Sequence, residues 1–372
     1  MINALRTETF EINMGPQHPS THGVFRMVLT LDGETVVDVV PKMGYLHRGI
    51  EKLAEENTYV QGVTFTDRMD YLSPMTGNFP FVLAVEKLAG IEVPLRAQYL
   101  RIIAAELQRI ASHLASIGFL GNDLGTWYSP LMYTLREREI ILDLFEMLCG
   151  ARMTPTYMRP GGVSQDLPEG FKDRCLLFFE KNMPRIMGEV PALLTDNEIV
   201  QMRLKNVGVL PAEKAIACSV SGPSLRGSGV KFDIRKAVPY NAYDQFEFDI
   251  PTGTKGDNFD RFVVRYEEIK QSMRIVRQAL ANLPAGPIMA PGITRNLRAP
   301  AGSEAFARTE ASRGELSVYM ASDGGVAPYR CKLRSPSFIN LTALREMLLG
   351  SRVADVVVTL GTLDIVLGEV DR

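Results

Sequence analysis

The chain of 372 residues is longer than an average domain, and its 46% hydrophobic and 23% charged residues are typical of a globular protein with a large core. A net charge of −2 with both signs mixed along the chain argues against nucleic acid as a partner. The four cysteines form no C-x-x-C pair, as expected for buried thiols in a reducing cytoplasm. No signal-peptide pattern and no apolar run of membrane-spanning length is present, so membrane association is expected only through partners.

Residues 1–45 are predicted to form an antiparallel β region. Residues 9–13 alternate between polar and apolar, and the β-rich runs 24–31 and 35–40 are separated by Asp32-Gly33. An Asp-Gly pair between such runs is a strong hairpin signal. The first strand therefore leads into a loop, and the hairpin follows it.

That loop reads M-G-P-Q-H-P-S-T-H-G and carries His18 and His22, two of only four histidines in the chain. Its prolines and glycines exclude a helix or a regular strand and hold the imidazoles in place. Imidazole is the side chain whose ordinary pKa suits proton transfer near neutrality. The loop thus predicts a proton donor or a ligand site, with two surface histidines in a turn as the alternative. Pro19 spoils the helical geometry that H-x-x-x-H needs to bind a metal.

Residues 46–285 are predicted to be mainly helical. A turn opens a helix near Ile50, and helical spacing of apolar residues predicts further helices over 94–118, 129–148 and 257–283. The glycine-rich segment 118–129 is expected to interrupt the helices. His113 lies beside the apolar stripe of its helix and is expected to pack there with a hydrogen bond. Antiparallel helices with buried stripes form a bundle.

Residues 303–372 are predicted to form a C-terminal α/β region after the Pro- and Gly-rich loop 284–302. The runs 315–321 and 327–334 flank Asp323-Gly324-Gly325, a hairpin signal, and the β-branched run 353–360 predicts a strand. The fold class is therefore α+β, a central helical bundle with N- and C-terminal antiparallel sheet regions. The whole chain, 1–372, is expected to be one unit.

Several ordered motifs carry a family resemblance: G-P-Q-H-P-S-T-H-G-V (15–24), G-Y-L-H-R-G-I-E-K (44–52), D-R-M-D-Y (67–71), R-E-R-E (136–139), R-P-G-G-V (159–163), S-G-P-S-L-R-G-S-G-V (221–230), D-I-R-K (233–236) and the closing G-E-V-D-R. In this order and spacing the chain resembles the D subunit of NADH-quinone oxidoreductase, respiratory complex I, over essentially its whole length. The resemblance implies a fold like that of the large subunit of nickel-iron hydrogenases. Those enzymes hold their metal with two C-x-x-C pairs. The matching positions here are Asp70, Ser73, Val366 and Glu369, so no thiolate ligation is expected and no metal of its own.

The resemblance implies that the vacated cavity binds a quinone headgroup. His22 would lie at one ring carbonyl and Tyr71 at the other, Asp123 would hydrogen-bond His22, and His18 would belong to the same site. Reduction of a quinone by two electrons consumes two protons, which imidazolium and phenol can donate. Arg68 would lie near the terminal [4Fe-4S] cluster of a partner subunit.

The resemblance also implies partners and a place in the cell. The partners would be other complex I subunits, especially the cluster-bearing B subunit, the C subunit and the membrane-embedded H subunit. The complex would lie peripherally on the cytoplasmic side of the cell inner membrane and would be proton-translocating. Without a Walker A or G-x-G-x-x-G motif, this chain itself is not expected to bind the nucleotide.

Two departures from the family leave the electron donor open. Arg152-Met153 is followed by Thr154-Pro155 where many relatives have a histidine, and the segment 287–302 is short. Both features recur in relatives fed by reduced deazaflavin or ferredoxin rather than NADH. Two alternatives to quinone reduction are a hydrogenase-related subunit without nickel and a scaffold that keeps only the fold. The missing cysteines argue against hydrogen chemistry, and retention of His22, Tyr71 and Asp123 argues against a scaffold.

Overall fold

The computed structural model describes residues 8–126 and 129–372. Its strands pair antiparallel in three separate sheets. The first sheet has the order β1 (Phe10–Met14), β2 (Arg26–Asp32) and β3 (Thr35–Lys42). The second pairs β4 (Met158–Arg159) with β5 (Gly162–Val163). The third has the order β6 (Glu304–Ala311), β7 (Gly314–Ala321) and β8 (Arg330–Arg334).

Helices occupy most of the chain between and after these sheets. They are α1 (Ile50–Glu56), α2 (Tyr59–Thr66), α3 (Pro74–Ala89), α4 (Leu95–Asp123), α5 (Ser129–Cys149), α6 (Phe171–Leu177), α7 (Met183–Val190), α8 (Glu198–Leu204), α9 (Ala212–Ala217), α10 (Gly222–Gly227), α11 (Ile234–Ala237), α12 (Asn258–Ala281), α13 (Pro336–Asn340), α14 (Leu344–Leu348), α15 (Val353–Leu363) and α16 (Leu367–Asp371). Over the described ranges, no helix combines the length and the apolar character that crossing a bilayer requires.

Helix α4 is the centre of the molecule. Nearly every residue from 97 to 118 is buried, and the helix packs against α3, α5, α12 and α15. The N-terminal sheet belongs to a second core with the C-terminal helices. Backbone hydrogen bonds of 2.9 and 2.8 Å join Val36 to Ser351 and Gly350. The two ends of the chain therefore form one side of the molecule, next to the bundle.

The α+β class is confirmed, as are the elements with strong local signals. The predicted hairpin pairs Asp32 with Thr35, and α5 ends where Gly150 was expected to stop it. Helix α12 begins after Asp257, whose side chain accepts a hydrogen bond from the Asp260 amide at 2.9 Å. The division of the chain at residues 45, 285 and 303 stays a prediction.

The predicted interruption at Gly118 is wrong, because α4 continues to Asp123. A Cβ atom at Gly118 would lie 2.2 Å from the Thr134 Oγ1, and one at Gly121 would lie 2.8 Å from the Pro130 Cβ. These glycines therefore do not end the helix. They allow the first turns of α5 to approach the backbone of α4.

The predicted strand at 353–360 is also wrong, because these residues form α15. Its side chains at Val356, Leu360 and Leu363 are spaced for one face of a helix and are all buried. Helix α15 packs against α4 and α12. Burial of this face outweighs the β propensity of the valines, which is a weak preference.

Strand β6 was not predicted from the sequence. Its buried face consists of Ala305, Ala307 and Thr309, small side chains that let α3 pack closely on the strand. Strands β6 and β7 are joined by a turn at Ser312–Arg313. The tripeptide Ser312-Arg313-Gly314 between two alternating runs is the signal that could have revealed this hairpin.

Gly222, at the start of α10, packs on that turn and provides a test of the fold. Its φ is +69°, and a Cβ there would lie 2.4 Å from the Gly314 Cα. We expect Gly222→Ala to lower the free energy of unfolding by more than about 3 kcal/mol, because backbone strain of about 1–3 kcal/mol adds to a clash with backbone. Gly33 has a φ of +59° with no atom within 4 Å of its Cβ, so Gly33→Ala is the matched control for strain alone. Equal losses in chemical unfolding would contradict the packing argument.

Candidate active site

The histidine loop is held by one buried threonine. The Thr21 Oγ1 donates to the carbonyl oxygens of His18 and Pro16, at 3.0 and 3.2 Å, and residues 19–21 form a single 3-10 turn. His22 follows this turn in a left-handed conformation with φ +57°, and it is exposed where Thr21 is buried. The His18 Nδ1 accepts the Ser20 amide at 3.2 Å and caps the same turn.

Tyr71 comes from the connection between α2 and α3. The carboxylate of the preceding residue, Asp70, is buried, accepts the amides of Leu72 and Ser73 at 3.2 and 3.1 Å, and pairs with Arg313. Behind the Tyr71 ring lies Gly368, where a Cβ would be 3.2 Å from the Tyr71 Cε1. The tyrosine is thus fixed by its neighbours in the chain and by the C-terminal segment.

His22, Tyr71 and Asp123 line one cavity of about 230 Å³. The other lining residues are mostly apolar: Ser20, Leu72, Ser116, Phe119, Leu120, Leu360, Gly361, Asp364, Ile365 and Val366. His22 and Phe119 are solvent-exposed at the mouth, whereas Leu120 and Val366 are buried in the wall. The cavity therefore has an apolar wall, a few polar groups and one open side, as ligand sites commonly do.

Asp123 does not bond to His22 in the described part of the chain. Its Oδ1 accepts a hydrogen bond from the Ser20 Oγ at 3.2 Å. Burial raises the pKa of Asp123 to about 6, and the bond from Ser20 opposes that rise. Asp123 therefore bonds to Ser20, two residues before His22, where a bond to His22 was expected. The bond to Ser20 positions the loop and not the imidazole.

The charges that act on His22 come from Asp364 and Arg313. Crowding by the surrounding protein lowers the pKa of His22, the Asp364 carboxylate raises it, and the Arg313 guanidinium lowers it further. The Arg313 Nη2 lies 3.4 Å from the Asp364 Oδ1. Sequence reasoning missed both residues, because only the end of α15 brings Asp364 to the cavity and only the β6–β7 turn brings Arg313 to Asp364.

Tyr71 is held as a neutral phenol. Burial raises its pKa, and Arg313 and Arg48 oppose the rise by stabilising the phenolate. The cavity thus holds a phenol that keeps its proton at neutral pH. The buried guanidinium of Arg313, outside the cavity lining, can stabilise the anion once that proton leaves. An acceptor with two oxygens could take one proton from each of the two donors, Tyr71 and protonated His22.

Two predicted site residues lie outside the cavity. His18 is half-buried within the loop and bonds to the Ser20 amide, and Arg68 is on the surface with its side chain 51% exposed. The Arg68 Nη1 donates to the Asp67 Oδ1 at 2.7 Å and to the Thr64 carbonyl at 2.6 Å. Burial raises the pKa of Asp67 to about 6. Arg68 therefore presents a cation on the surface and does not line the cavity.

The positions expected to replace the hydrogenase cysteines offer oxygen donors and a valine. The Ser73 Oγ forms a hydrogen bond of 2.7 Å with the Ser312 Oγ, and Glu369 accepts from the Ser337 hydroxyl. Val366 faces the cavity. Over residues 8–126 and 129–372, no three His, Cys, Asp or Glu side chains are grouped to hold a metal ion.

Comparison with known proteins identifies the class of protein as a subunit of an oxidoreductase. The family model described as "Respiratory-chain NADH dehydrogenase, 49 Kd subunit" matches residues 123–295 and 291–372, and the chain belongs to this family. It is similar to proteins named as the D subunit of NADH-quinone oxidoreductase. It is 54% identical to the one from Desulforamulus reducens, over 99% of both chains. It is 53% identical to the first D subunit of Roseiflexus sp., over 99% of this chain and 100% of the relative. It is 51% identical to the D subunit of Carboxydothermus hydrogenoformans, over 99% of this chain and 100% of the relative. The resemblance found in the sequence motifs is confirmed.

The electrostatics of His22 can be tested with two isosteric changes. We expect Asp364→Asn to lower the pKa of His22, because it removes the carboxylate that stabilises the imidazolium. Asp123→Asn should leave the pKa of His22 nearly unchanged, because that carboxylate acts on Ser20. The pKa is measured by NMR of ring-labelled histidine, with the His22 signal assigned through His22→Gln. A larger fall in Asp123→Asn than in Asp364→Asn would contradict this assignment.

Proposed function

We propose that this chain is the quinone-binding subunit of a proton-translocating NADH:quinone oxidoreductase, in which quinone is reduced to quinol at the cavity of His22 and Tyr71. The observation that carries the proposal is the convergence of these two proton donors, from loops 49 residues apart in sequence (71 − 22), on one apolar-walled cavity. A flat aromatic headgroup fits such walls, and its two oxygens need two donors.

The chain's own residues would bind the headgroup and supply protons. His22 donates from its imidazolium form to one quinone oxygen, and the Tyr71 hydroxyl donates to the other. Arg313, behind Tyr71, stabilises the phenolate that remains. The apolar wall around Leu120 and Val366 limits water, which strengthens each of these electrostatic interactions. Electrons would come from the terminal [4Fe-4S] cluster of a partner subunit.

The partners and location follow from family membership and are part of the proposal. The cluster-bearing B subunit, the C subunit and the membrane-embedded H subunit would surround this chain on the cytoplasmic side of the inner membrane. The open side of the cavity, where His22 and Phe119 are exposed, is where a partner or the quinone tail would cover it. Arg68, exposed on another surface, would face the partner's cluster.

Removal of either donor is the direct test. We expect His22→Ala and Tyr71→Phe each to lower the rate of quinone reduction about 10²–10⁴-fold, the usual contribution of a positioned proton donor. Assembly of the complex and reduction of the clusters by the electron donor should be unchanged, as measured by gel filtration and EPR. Tyr329→Phe is the matched control, because that ring is 71% exposed and lies outside the cavity. A double variant of His22 and Tyr71 with parental quinone reduction would refute the proposed roles.

The role of Arg68 is tested by the potential of the partner's cluster. Removal of a nearby cation makes the reduced cluster less stable, so Arg68→Gln should shift its midpoint potential negative by tens of millivolts, a change of order 1 kcal/mol. The control is Arg345→Gln, whose side chain is 50% exposed and pairs with Asp38 on the N-terminal sheet. The shift is measured by EPR-monitored redox titration of the complex. Equal potentials in the parent and in Arg68→Gln would place Arg68 away from the cluster.

A further inference from the structure

Behind Tyr71, the carboxyl group of Glu369 is buried without a cation of its own. The side chain is fully buried, its Oε2 accepts from the amide and the hydroxyl of Ser337, and its Oε1 has no hydrogen-bond partner among the residues that the structure describes. A buried carboxylate left unpaired is costly in free energy. A protonated carboxyl avoids this cost.

A count of the buried charges around Glu369 also indicates that its carboxyl is protonated. Asp70 pairs with Arg313, and Asp364 lies 3.4 Å from Arg313 and 3.6 Å from Arg265. Arg48 also lies near this group, but Asp371 offsets its charge. With Glu369 the remaining group has three carboxyls and two guanidiniums. Asp70 also accepts two backbone amides. Glu369 has only Ser337, so it is the carboxyl that holds the surplus proton.

The electrostatics of these buried charges agree with the count. Burial and the neighbouring Asp70 raise the pKa of Glu369 to about 7, while Arg313 and the hydrogen bonds from Ser337 oppose the rise. The charged or titratable groups that surround the Asp70–Glu369 pair or adjoin Tyr71 are Arg313, Asp364, Arg265, Arg48, Tyr71 and His22. Glu369 is therefore protonated in acid and ionised as the pH rises through about 7.

The position of Glu369 relates this proton to the cavity. Gly368, the preceding residue, lies against the Tyr71 ring, and Val366 lines the cavity wall. Asp70, the residue before Tyr71, is a close electrostatic neighbour of Glu369. Asp70 is held ionised by Arg313, so Glu369 is the neighbouring acid that can hold a proton for Tyr71, and the apolar wall restricts supply of protons from water.

We propose that Glu369 is the proton reserve of Tyr71: it holds a proton in the resting enzyme and returns it to the phenolate after Tyr71 has protonated the quinone. This inference rests on the proposed function. The Tyr71 O–H bond breaks as the quinol O–H bond forms, with the electrons supplied by the partner's cluster. The Glu369 O–H bond then breaks and the Tyr71 O–H bond forms again. The Glu369 carboxylate finally takes a proton from solvent.

The test uses the assembled complex carrying Glu369→Gln, which keeps the shape of the side chain and cannot release a proton. We expect kcat to fall on the order of tenfold, less than for loss of the donor itself, because solvent still protonates Tyr71 slowly. KM for the quinone should not change. Deprotonation of His22, whose pKa is lowered from the ordinary value, should reduce kcat at lower pH in both forms. The parental kcat should fall once more as the pH rises through about 7, and Glu369→Gln should lack this second decline. Glu369→Asp, which keeps an acid, should restore part of this second decline of kcat with pH.

Two controls separate this role from a structural one and from failure of the proposed function. In a Tyr71→Phe background, Glu369→Gln should cause no further loss, because the reserve acts only through Tyr71. Glu137→Gln removes another buried carboxyl, on α5 and paired with Arg136 and Arg185, and should leave the pH profile unchanged. Parental kcat and pH profile in Glu369→Gln, with Tyr71→Phe inactive, would overturn this inference alone. Parental activity in Tyr71→Phe would overturn the proposed function.

Infrared difference spectra provide a further test, and its decisive outcome in the parental complex does not depend on a folded variant. A single turnover should remove the carbonyl stretch of a protonated carboxylic acid and produce a carboxylate band, and both should disappear when Glu369→Gln assembles. The absence of any protonated-carboxyl signal in the resting parent would overturn the proposal.

Discussion

The buried guanidinium of Arg313 is the interaction on which the site depends. It lies in the β6–β7 turn, pairs with Asp70 at a separation of 243 residues in sequence, and reaches Asp364. Asp70 precedes Tyr71, and Asp364 lines the cavity. Because removal of one member of a buried ion pair leaves a charge without a partner, at a cost of about 3–5 kcal/mol, these three segments are held in one arrangement. The position of the tyrosine and the charge beside His22 therefore have the same origin.

The same principle governs the bundle around α4. Inward-facing Glu106 and Arg109 are fully buried, and Glu106 accepts hydrogen bonds from Arg235, Tyr243 and Ser272. Further along the helix, His113 contacts Glu268 at 2.8 Å. Such networks add little net stability compared with apolar packing, but they disfavour alternative registers in which a charge would lose its partner. The network thus positions the helices that carry the cavity wall.

The sequence predicted the elements whose signals are local. The Asp32-Gly33 hairpin and the cap at Asp257 depend on residues within one turn, so no tertiary information was needed. Gly118 and the valines of α15 were misinterpreted because their roles are set by neighbours distant in sequence. A glycine that allows α5 to approach and a valine packed on α4 look, in the sequence alone, like a helix stop and a strand.

The candidate site shows the same division between local and distant information. His22 and Tyr71 were predicted through family motifs, and the structure brings them together with Asp123. The motifs also suggested that Asp123 orients His22. The carboxylate that acts on the imidazole is instead that of Asp364, a residue in none of the motifs. Its role depends on the left-handed turn that ends α15, and spacing along the chain does not reveal where that turn points.

The residues that stand where hydrogenase cysteines are expected suggest why the cavity suits proton chemistry. Thiolates would place soft ligands at the back of this cavity. Here Asp70, Ser73 and Glu369 are buried oxygen-bearing side chains, and only Val366 faces the cavity. A carboxyl can hold or release a proton under the influence of its neighbours, whereas valine excludes water from the wall. Under the proposed function, reduction of a quinone would consume two protons in a space where solvent is restricted. Acid groups behind an apolar wall would meet that requirement, because they would keep protons within the protein while the headgroup contacted the two donors.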